Sequence, residues 1–218
     1  MQPEVKSCAL VKEDYLDGME HRYLFARGVV PKLMALDGRA LVVVVDPRRV
    51  DKVAINERDY EAWPNGQYEI IEKNVSLVKD AEKVAEFVKS KESSLDLLFL
   101  SVGFVSLDGR QDTTEGLDAS MTTRYNSCLR ITQLLLPLLN QAASPHVISV
   151  LAGGLEGAMQ EDDLDLRQAR NWSVARASVH SATMGTLALE KLAAENPGVS
   201  FVHTYPGFVA TPLFDNIV

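Results

Sequence analysis

Short apolar runs alternate along the chain with longer stretches in which apolar residues recur every three or four positions. Residues 41–45, 97–100 and 147–151 are apolar without alternation of polar and apolar positions. Such runs are typical of strands in a parallel sheet that helices cover on both sides. Shorter runs at 8–11, 68–71 and 199–202 bring the number of predicted strands to six.

The spacing of the apolar residues also predicts three helices. The first extends from Val78 to Val88, with Ser76 as its N-cap, and the second covers residues 117–139. The third covers residues 176–195 and ends before the helix breakers at 196–198. Because the second helix is apolar nearly all round in its C-terminal half, we expect a partner subunit to cover it, which predicts a homodimer.

The alternation of strands and helices predicts a doubly wound α/β fold: a parallel, Rossmann-like sheet with helices on both faces. No linker or internal repeat divides the chain, so residues 1–218 are interpreted as one domain. Ligands of such sheets bind beyond the carboxyl ends of the strands. The residues that follow each apolar run are therefore the candidates for function.

Charge and cysteine content narrow the function classes. The chain has 22 Lys and Arg against 30 Asp and Glu, a net charge of −8, and no basic block, so we expect no nucleic-acid partner. Cys8 and Cys128 lie far apart without further ligands at metal spacing, which predicts no metal site and a reducing compartment. No apolar run approaches the ~20 residues of a membrane span. We expect a soluble, cytoplasmic protein.

Four strand ends carry a family resemblance. Residues 74–76, 100–103, 149–154 and 205–211 follow the third to sixth strands, and their order and spacing resemble the short-chain dehydrogenase/reductase family. The resemblance covers about residues 9–211 and is strongest to fungal members of secondary-metabolite pathways. It implies an oxidoreductase that uses NAD or NADP.

The cofactor loop departs from the family pattern. Where family members have a glycine-rich turn after the first strand, this chain has Lys12 followed by Glu13, Asp14 and Asp17, and only Gly18 remains. Two like charges about 4 Å apart repel by about 4 kcal/mol at an effective dielectric of about 20. These acidic residues would oppose a bound diphosphate, so we expect no nucleotide cofactor.

The catalytic positions depart as well. The family's Tyr-x-x-x-Lys motif aligns with His180 and Met184, and the family's serine falls near Ala152 or Gly153. Its asparagine falls near Arg124. The resemblance places His180 in the former substrate cleft, where an imidazole can act as acid or base near neutral pH.

The leading hypothesis is therefore a cofactor-independent, non-redox enzyme with His180 as its proton donor or acceptor. It would catalyse a cyclisation, isomerisation or dehydration of a bulky, hydrophobic small-molecule intermediate of fungal natural-product biosynthesis. The expected substrate-binding residues are Ser101, Phe104, Tyr125, Asn126, Ser149, Glu156, Met184 and Phe208. His203, within the sixth strand, is expected to serve packing.

Two other interpretations stay open. The first is an NADPH-dependent short-chain reductase with an atypical cofactor loop. The second is a non-catalytic pseudoenzyme that binds a partner protein through its apolar helices.

Overall fold

The computed structural model describes residues 7–12, 39–44, 68–103, 108–205 and 207, and these contain a six-stranded parallel sheet. The strand order is β3-β2-β1-β4-β5-β6, and every neighbouring pair is parallel. The strands are β1 (Ser7–Lys12), β2 (Arg39–Val44), β3 (Tyr68–Glu72), β4 (Leu97–Ser101), β5 (His146–Val150) and β6 (Ser200–Thr204). All six predicted strands are present, and the predicted fold class is confirmed.

The described helices follow β3, β4 and β5. They are α1 (Val78–Lys91), α2 (Ala119–Met121), a π-helical turn (Thr122–Asn126), α3 (Ser127–Leu139), a 3₁₀-helical turn (Glu161–Asp163) and α4 (Val174–Glu195). Each crossover from β3 to β6 moves toward the same sheet edge, so right-handed connections place these helices on one face. The connections that follow β1 and β2 lie outside the described residues.

The start of α1 corrects one prediction. Ser76 is not the N-cap, because its amide N–H and its hydroxyl both donate to Asn74 Oδ1, at 3.1 and 2.7 Å. The Glu115 carboxylate instead accepts the N–H groups of Val78 and Lys79, at 2.7 and 3.1 Å. A distant acidic side chain therefore satisfies the first turn of the helix, where negative charge is favourable.

The hydrophobic core lies between the sheet and the helices α1 and α3. Val84 of α1, Leu98 of β4, and Ile131 and Leu135 of α3 belong to one cluster and are fully buried. The apolar half of α3 is thus largely covered within the chain, while Leu134, Leu136 and Leu138 are only partly buried. The homodimer and the single-domain organisation stay predictions.

Among the described residues, no helix combines the length and the apolar character that crossing a bilayer requires.

Candidate active site

The carboxyl edge of the sheet contains a topological switch point. β1 lies between β2 and β4, so successive connections leave this point in opposite directions across the sheet. In open α/β sheets the crevice beyond such a point is where ligands bind. The candidate site is therefore bounded by the ends of β4, β5 and β6 and by the helices that begin beside them.

Arg124 occupies this edge and is nearly buried, with 7% exposure. It lies in the π-helical turn, a feature frequently found at functional sites. Its Nη1 donates to Ser178 Oγ of α4 at 3.0 Å. A Cβ at Gly103, just after β4, would lie 3.2 Å from Arg124 Cγ, so a glycine there lets the arginine approach the strand end. A cation and a hydroxyl thus meet where the resemblance places the family's asparagine.

His180 is buried, and both its ring nitrogens contact backbone. Nε2 lies 2.9 Å from the Leu164 carbonyl, and the Gln160 N–H donates to Nδ1 at 3.4 Å. Nε2 therefore carries the proton and donates it to the carbonyl, because Nδ1 is an acceptor. A proton-transfer role would break one of these bonds. These contacts tie His180 to the β5–α4 connection, and its role as proton donor or acceptor stays a prediction.

Hydrogen bonds within the β5–α4 connection hold its backbone in one conformation. Asp163 accepts the N–H groups of Arg167 and Gln168, at 2.8 and 3.0 Å, and Asn171 Nδ2 at 2.8 Å. The bond from Asn171 is the main cause that lowers the pKa of Asp163. The same turn buries Leu166 with a φ of 46°, a left-handed conformation that a branched residue rarely adopts. The segment therefore presents the Leu164 carbonyl to His180 in a fixed position.

A small cavity of about 20 Å³ lies between the sheet and the helices α3 and α4. Two predicted substrate-binding residues, Tyr125 and Ser149, line it, and burial raises the pKa of Tyr125. His203 lines it as well, because Ser149 and His203 are register partners on neighbouring strands. The remaining lining residues are Leu100, Arg124, Cys128, Leu129, Thr132, Leu151, Gly185, Ala188 and Leu189. The cavity is mostly apolar, with polar groups from β5, β6 and the π-helical turn.

Glu156, a third predicted residue, reaches His203 through Thr186 of α4. Thr186 Oγ1 donates to Glu156 Oε1 at 2.5 Å and lies 2.7 Å from His203 Nδ1. The hydroxyl of Thr186, followed by the Gly154 N–H, lowers the pKa of Glu156 to about 2. Burial lowers the pKa of His203, and the nearby Glu156 charge opposes that shift. At neutral pH the pair is an ionised carboxylate and a neutral imidazole.

The other predicted residues are not brought to the cavity. Ser101 is half-buried at the end of β4, Asn126 ends the π-helical turn, and Met184 is half-buried on α4. None of these three lines the cavity. Phe104 and Phe208 lie outside the described residues.

Sequence reasoning missed Thr186 and assigned His203 to packing. One signal was present, since Ser149 and His203 each stand one residue before the end of adjacent strands. Side chains at matching positions of parallel neighbours lie on the same face of the sheet. Nothing in the local pattern places Thr186 or Glu156 beside them.

Two curated fungal proteins are similar to this chain in sequence. The NmrA-like family domain-containing oxidoreductase notO of Aspergillus sp. (strain MF297-2) is 53% identical over 149 residues, which are 68% of this chain and 45% of notO. The short-chain dehydrogenase/reductase SAT2 of Stachybotrys chartarum is 33% identical over 156 residues, 65% of this chain and 44% of SAT2. The chain therefore spans less than half the length of these relatives. No protein-family model matches it.

A solved structure extends the likeness to the fold. The crystal structure of a metagenomic short-chain oxidoreductase in complex with NADP superposes with a TM-score of 0.65 at 16% identity. The match covers 98% of this chain and 88% of the other.

These comparisons correct the predicted function. The hypothesis of a cofactor-independent, non-redox cyclase, isomerase or dehydratase is wrong, because the relatives are oxidoreductases. They are enzymes, as we predicted, but of another reaction class. Glu13, Asp14 and Asp17 would oppose a bound diphosphate only if their side chains pointed toward it, and composition alone does not decide their direction. These three residues lie outside the described part of the chain.

The strand order, the strand-end sequences and the relatives agree with one another. The chain therefore has the fold of short-chain oxidoreductases, and its sequence is similar to that of the short-chain dehydrogenase/reductase SAT2.

Proposed function

We propose that this protein is a nicotinamide-dependent oxidoreductase that interconverts a carbonyl group and an alcohol on a bulky, apolar small molecule. The observation that carries the proposal is the switch point between β1 and β4, with a buried arginine at its carboxyl edge. The relatives' names give the reaction class. NADP(H) is the cofactor we propose, since the similar solved structure is a complex with NADP.

The described donor set fits the nicotinamide end of such a cofactor. Arg124 and Ser178 supply a cation and a hydroxyl, and both can hydrogen-bond carbonyl or ribose oxygens. Ser149 and Tyr125 add further hydroxyl groups at the neighbouring cavity. The Glu156 carboxylate lies 4.0 Å from His203, which lines this cavity, and hydrogen bonds from Thr186 and the Gly154 N–H partly offset its charge.

The residues of this chain would bind the cofactor and the substrate and orient their reacting atoms. A bound nicotinamide supplies or accepts the hydride, which no side chain can do. The Arg124 guanidinium is fixed by Ser178 and therefore holds an oxygen of the bound molecules in one orientation.

Two exposed leucine side chains are evidence for an apolar substrate. Leu155 and Leu164 project from the β5–α4 connection and are each 48% exposed. In the family this connection borders the substrate, so these leucines would contact an apolar molecule lying across the site.

Isothermal titration calorimetry of the full chain with NADPH, NADP⁺, NADH and NAD⁺ tests the proposal. We expect saturable binding, with Arg124→Gln weakening it about tenfold or more, since a hydrogen bond to a charged group contributes about 1.5–3 kcal/mol. Arg130→Gln is the matched control, because Arg130 pairs with Glu82 on α1, away from the site. Absence of binding for all four nucleotides at millimolar concentration would overturn the proposal.

A further inference from the structure

The hydrogen bonds that join Glu156, Thr186 and His203 have a defined direction. The Gly154 N–H donates to both carboxylate oxygens of Glu156, at 3.1 and 2.9 Å. An ionised carboxylate only accepts, so the Thr186 hydroxyl donates its single proton to Glu156 Oε1, at 2.5 Å. Thr186 Oγ1 then accepts from His203 Nδ1 at 2.7 Å, and the neutral imidazole carries its proton on Nδ1.

The opposite nitrogen, Nε2, is a poor place for a second proton. The His203 side chain is 7% exposed, and Nε2 is buried without a hydrogen-bond partner among the described residues. The adjoining cavity of about 20 Å³ has mostly aliphatic walls, which offer few of the two to four partners, about three on average, that a buried water molecule takes. A buried N–H of a charged group without an acceptor is strongly unfavourable. The imidazolium is therefore destabilised in this arrangement of the three side chains.

One group of opposite charge lies within reach of the ring. The titratable side chains that line the cavity with His203 are Arg124 and Tyr125 of the π-helical turn and Cys128 of α3, while β5 and α4 contribute none. None of the three carries a negative charge at neutral pH. Glu156 Oε1, in contrast, lies 4.0 Å from His203 Nδ1. Burial lowers the pKa of His203, and the charge of Glu156 opposes that shift. A direct ion pair with Glu156 is the arrangement that suits the charged ring.

The same carboxylate holds the turn that follows β5. Glu156 accepts the N–H of Gly154, whose φ of 94° is a left-handed value that suits glycine. The turn also passes close to β6, because a Cβ at Gly153 would lie 2.5 Å from the His203 carbonyl oxygen. A movement of the Glu156 carboxylate toward His203 therefore takes an acceptor away from Gly154.

We propose that His203 is an acid-sensitive switch between two hydrogen-bond arrangements. When Nε2 gains a proton, the bridge through Thr186 opens, His203 and Glu156 form a direct ion pair, and the Gly154 N–H loses its carboxylate partner. The Thr186 hydroxyl then donates to a carbonyl of its own helix, a bond that threonine makes readily. Because the turn follows β5 at the edge of the candidate site, acid loosens that edge. The switch goes beyond the proposed function and requires no nucleotide.

Nuclear magnetic resonance of the full chain between pH 8 and pH 4 tests the switch. Long-range ¹H–¹⁵N spectra follow the ring nitrogens of His203, and the backbone spectrum follows the Gly154 amide. At pH 8 we expect the Nδ1–H tautomer, and the protonation midpoint should lie below the ordinary value of 6.5. The Gly154 signal should shift with the same midpoint. Its protection from hydrogen exchange should fall about tenfold, as loss of a hydrogen bond to a charged group implies.

Three results would overturn the switch. They are an Nε2–H tautomer at pH 8, a His203 ring that stays neutral down to pH 4, and a Gly154 amide that does not respond while His203 gains its proton.

A substitution with a matched control identifies the group that titrates. In His203→Gln, which cannot gain a proton, the Gly154 amide should no longer respond to pH. His146→Gln is the control, because His146 is half-buried at the start of β5 and its Nε2 lies 3.4 Å from Ser144 Oγ. This variant should keep the wild-type transition. A Gly154 transition that persists in His203→Gln would refute the switch.

A second pair of variants tests the bridge itself. Thr186→Val removes the oxygen that accepts from the neutral ring, so the protonation midpoint of His203 should rise. Thr183→Val, one turn earlier on α4, removes a hydroxyl that contacts Gly157 and should leave the midpoint unchanged. Equal midpoints in the two variants would contradict a bridge through Thr186. Loss of nucleotide binding or of turnover would affect the proposed function alone, since none of these measurements depends on it.

Discussion

Two histidines with buried side chains contact the β5–α4 connection at different points, and their ring nitrogens have different partners. Both ring nitrogens of His180 bond to backbone groups, at Gln160 and Leu164, so the ring holds the β5–α4 connection against α4. Around His203, Nδ1 bonds to Thr186, whose hydroxyl donates to Glu156, while Nε2 is buried without a hydrogen-bond partner among the described residues. Both side chains are buried, so burial does not distinguish them. The difference is that both nitrogens of His180 have hydrogen-bond partners, whereas His203 has a partner at Nδ1 only.

The contrast also explains where the sequence was misleading. His180 stands at the family's tyrosine position and attracts attention for that reason, whereas His203 lies inside a strand. In the structure both nitrogens of His180 contact backbone groups of the β5–α4 connection, whereas His203 lies beside Ser149 of β5. A residue's alignment position therefore says little about its function until its hydrogen-bond partners are known.

The largest effect is expected from a substitution that displaces β6, the strand that carries His203. A Cβ at Gly153 would lie 2.5 Å from the His203 carbonyl oxygen and 2.8 Å from Thr204 N, and backbone atoms cannot yield cheaply. We expect Gly153→Ala to cost about 3 kcal/mol of unfolding free energy and to disturb the tautomer of His203. Urea denaturation measures the first effect and histidine spectra the second.

Gly198→Ala is the control for this substitution, since an added Cβ at Gly198 meets nothing within 4 Å. It should change stability by less than about 0.5 kcal/mol. A Gly153→Ala chain as stable as Gly198→Ala would show that β5 and β6 are not packed as described.

Removing each imidazole in turn should show that the two histidines contribute differently to the free energy of unfolding. His180→Ala leaves a cavity and exposes the Gln160 N–H and the Leu164 carbonyl without partners, so we expect a loss of about 2–4 kcal/mol. His203→Ala also removes packing but relieves the unpaired Nε2, so its loss should be smaller. Denaturation of the two variants side by side provides the measurement. A His203→Ala chain less stable than His180→Ala would reverse the comparison.

The smallest expected effect is the dependence of stability on pH. Because the folded pKa of His203 lies below its ordinary value of 6.5, its contribution is complete above about pH 6.5 and is lost as pH falls. The contribution of Glu156 is complete above its ordinary 4.5 and is lost as pH falls toward about 2. Urea denaturation between pH 8 and pH 5 should therefore show a decline that His203→Gln flattens. A decline of equal slope in both chains would count against a neutral, buried His203.

Much of the fold could be predicted because its signals are local. The β-branched run at residues 41–45 and the apolar run at 97–100 correspond to β2 and β4, and the spacing after Val78 corresponds to α1. The N-cap of α1 could not be predicted, because Glu115 reaches it from a segment 37 residues away. A long-range carboxylate leaves no periodic trace in the sequence.

The site was predictable only in part, for the same reason. Tyr125, Ser149 and Glu156 were identified because they follow strands or stand at family positions, and the structure brings them to the cavity or to His203. The direction of a hydrogen bond depends on all its partners at once, and Thr186 joins Glu156 to His203 across 30 and 17 residues of sequence. Only the three-dimensional arrangement reveals which nitrogen of His203 is free.

Transfer of an isotopic label tests the central claim, that this fold carries out nicotinamide redox chemistry. The full chain would be incubated with NADPH deuterated at the transferable C4 position and with bulky apolar ketones such as tetralone and decalone, followed by mass spectrometry. We predict an alcohol that carries one deuterium on the new C–H carbon, formed only when the nucleotide is present. A product formed equally well without nucleotide, or an alcohol free of the label, would contradict the account.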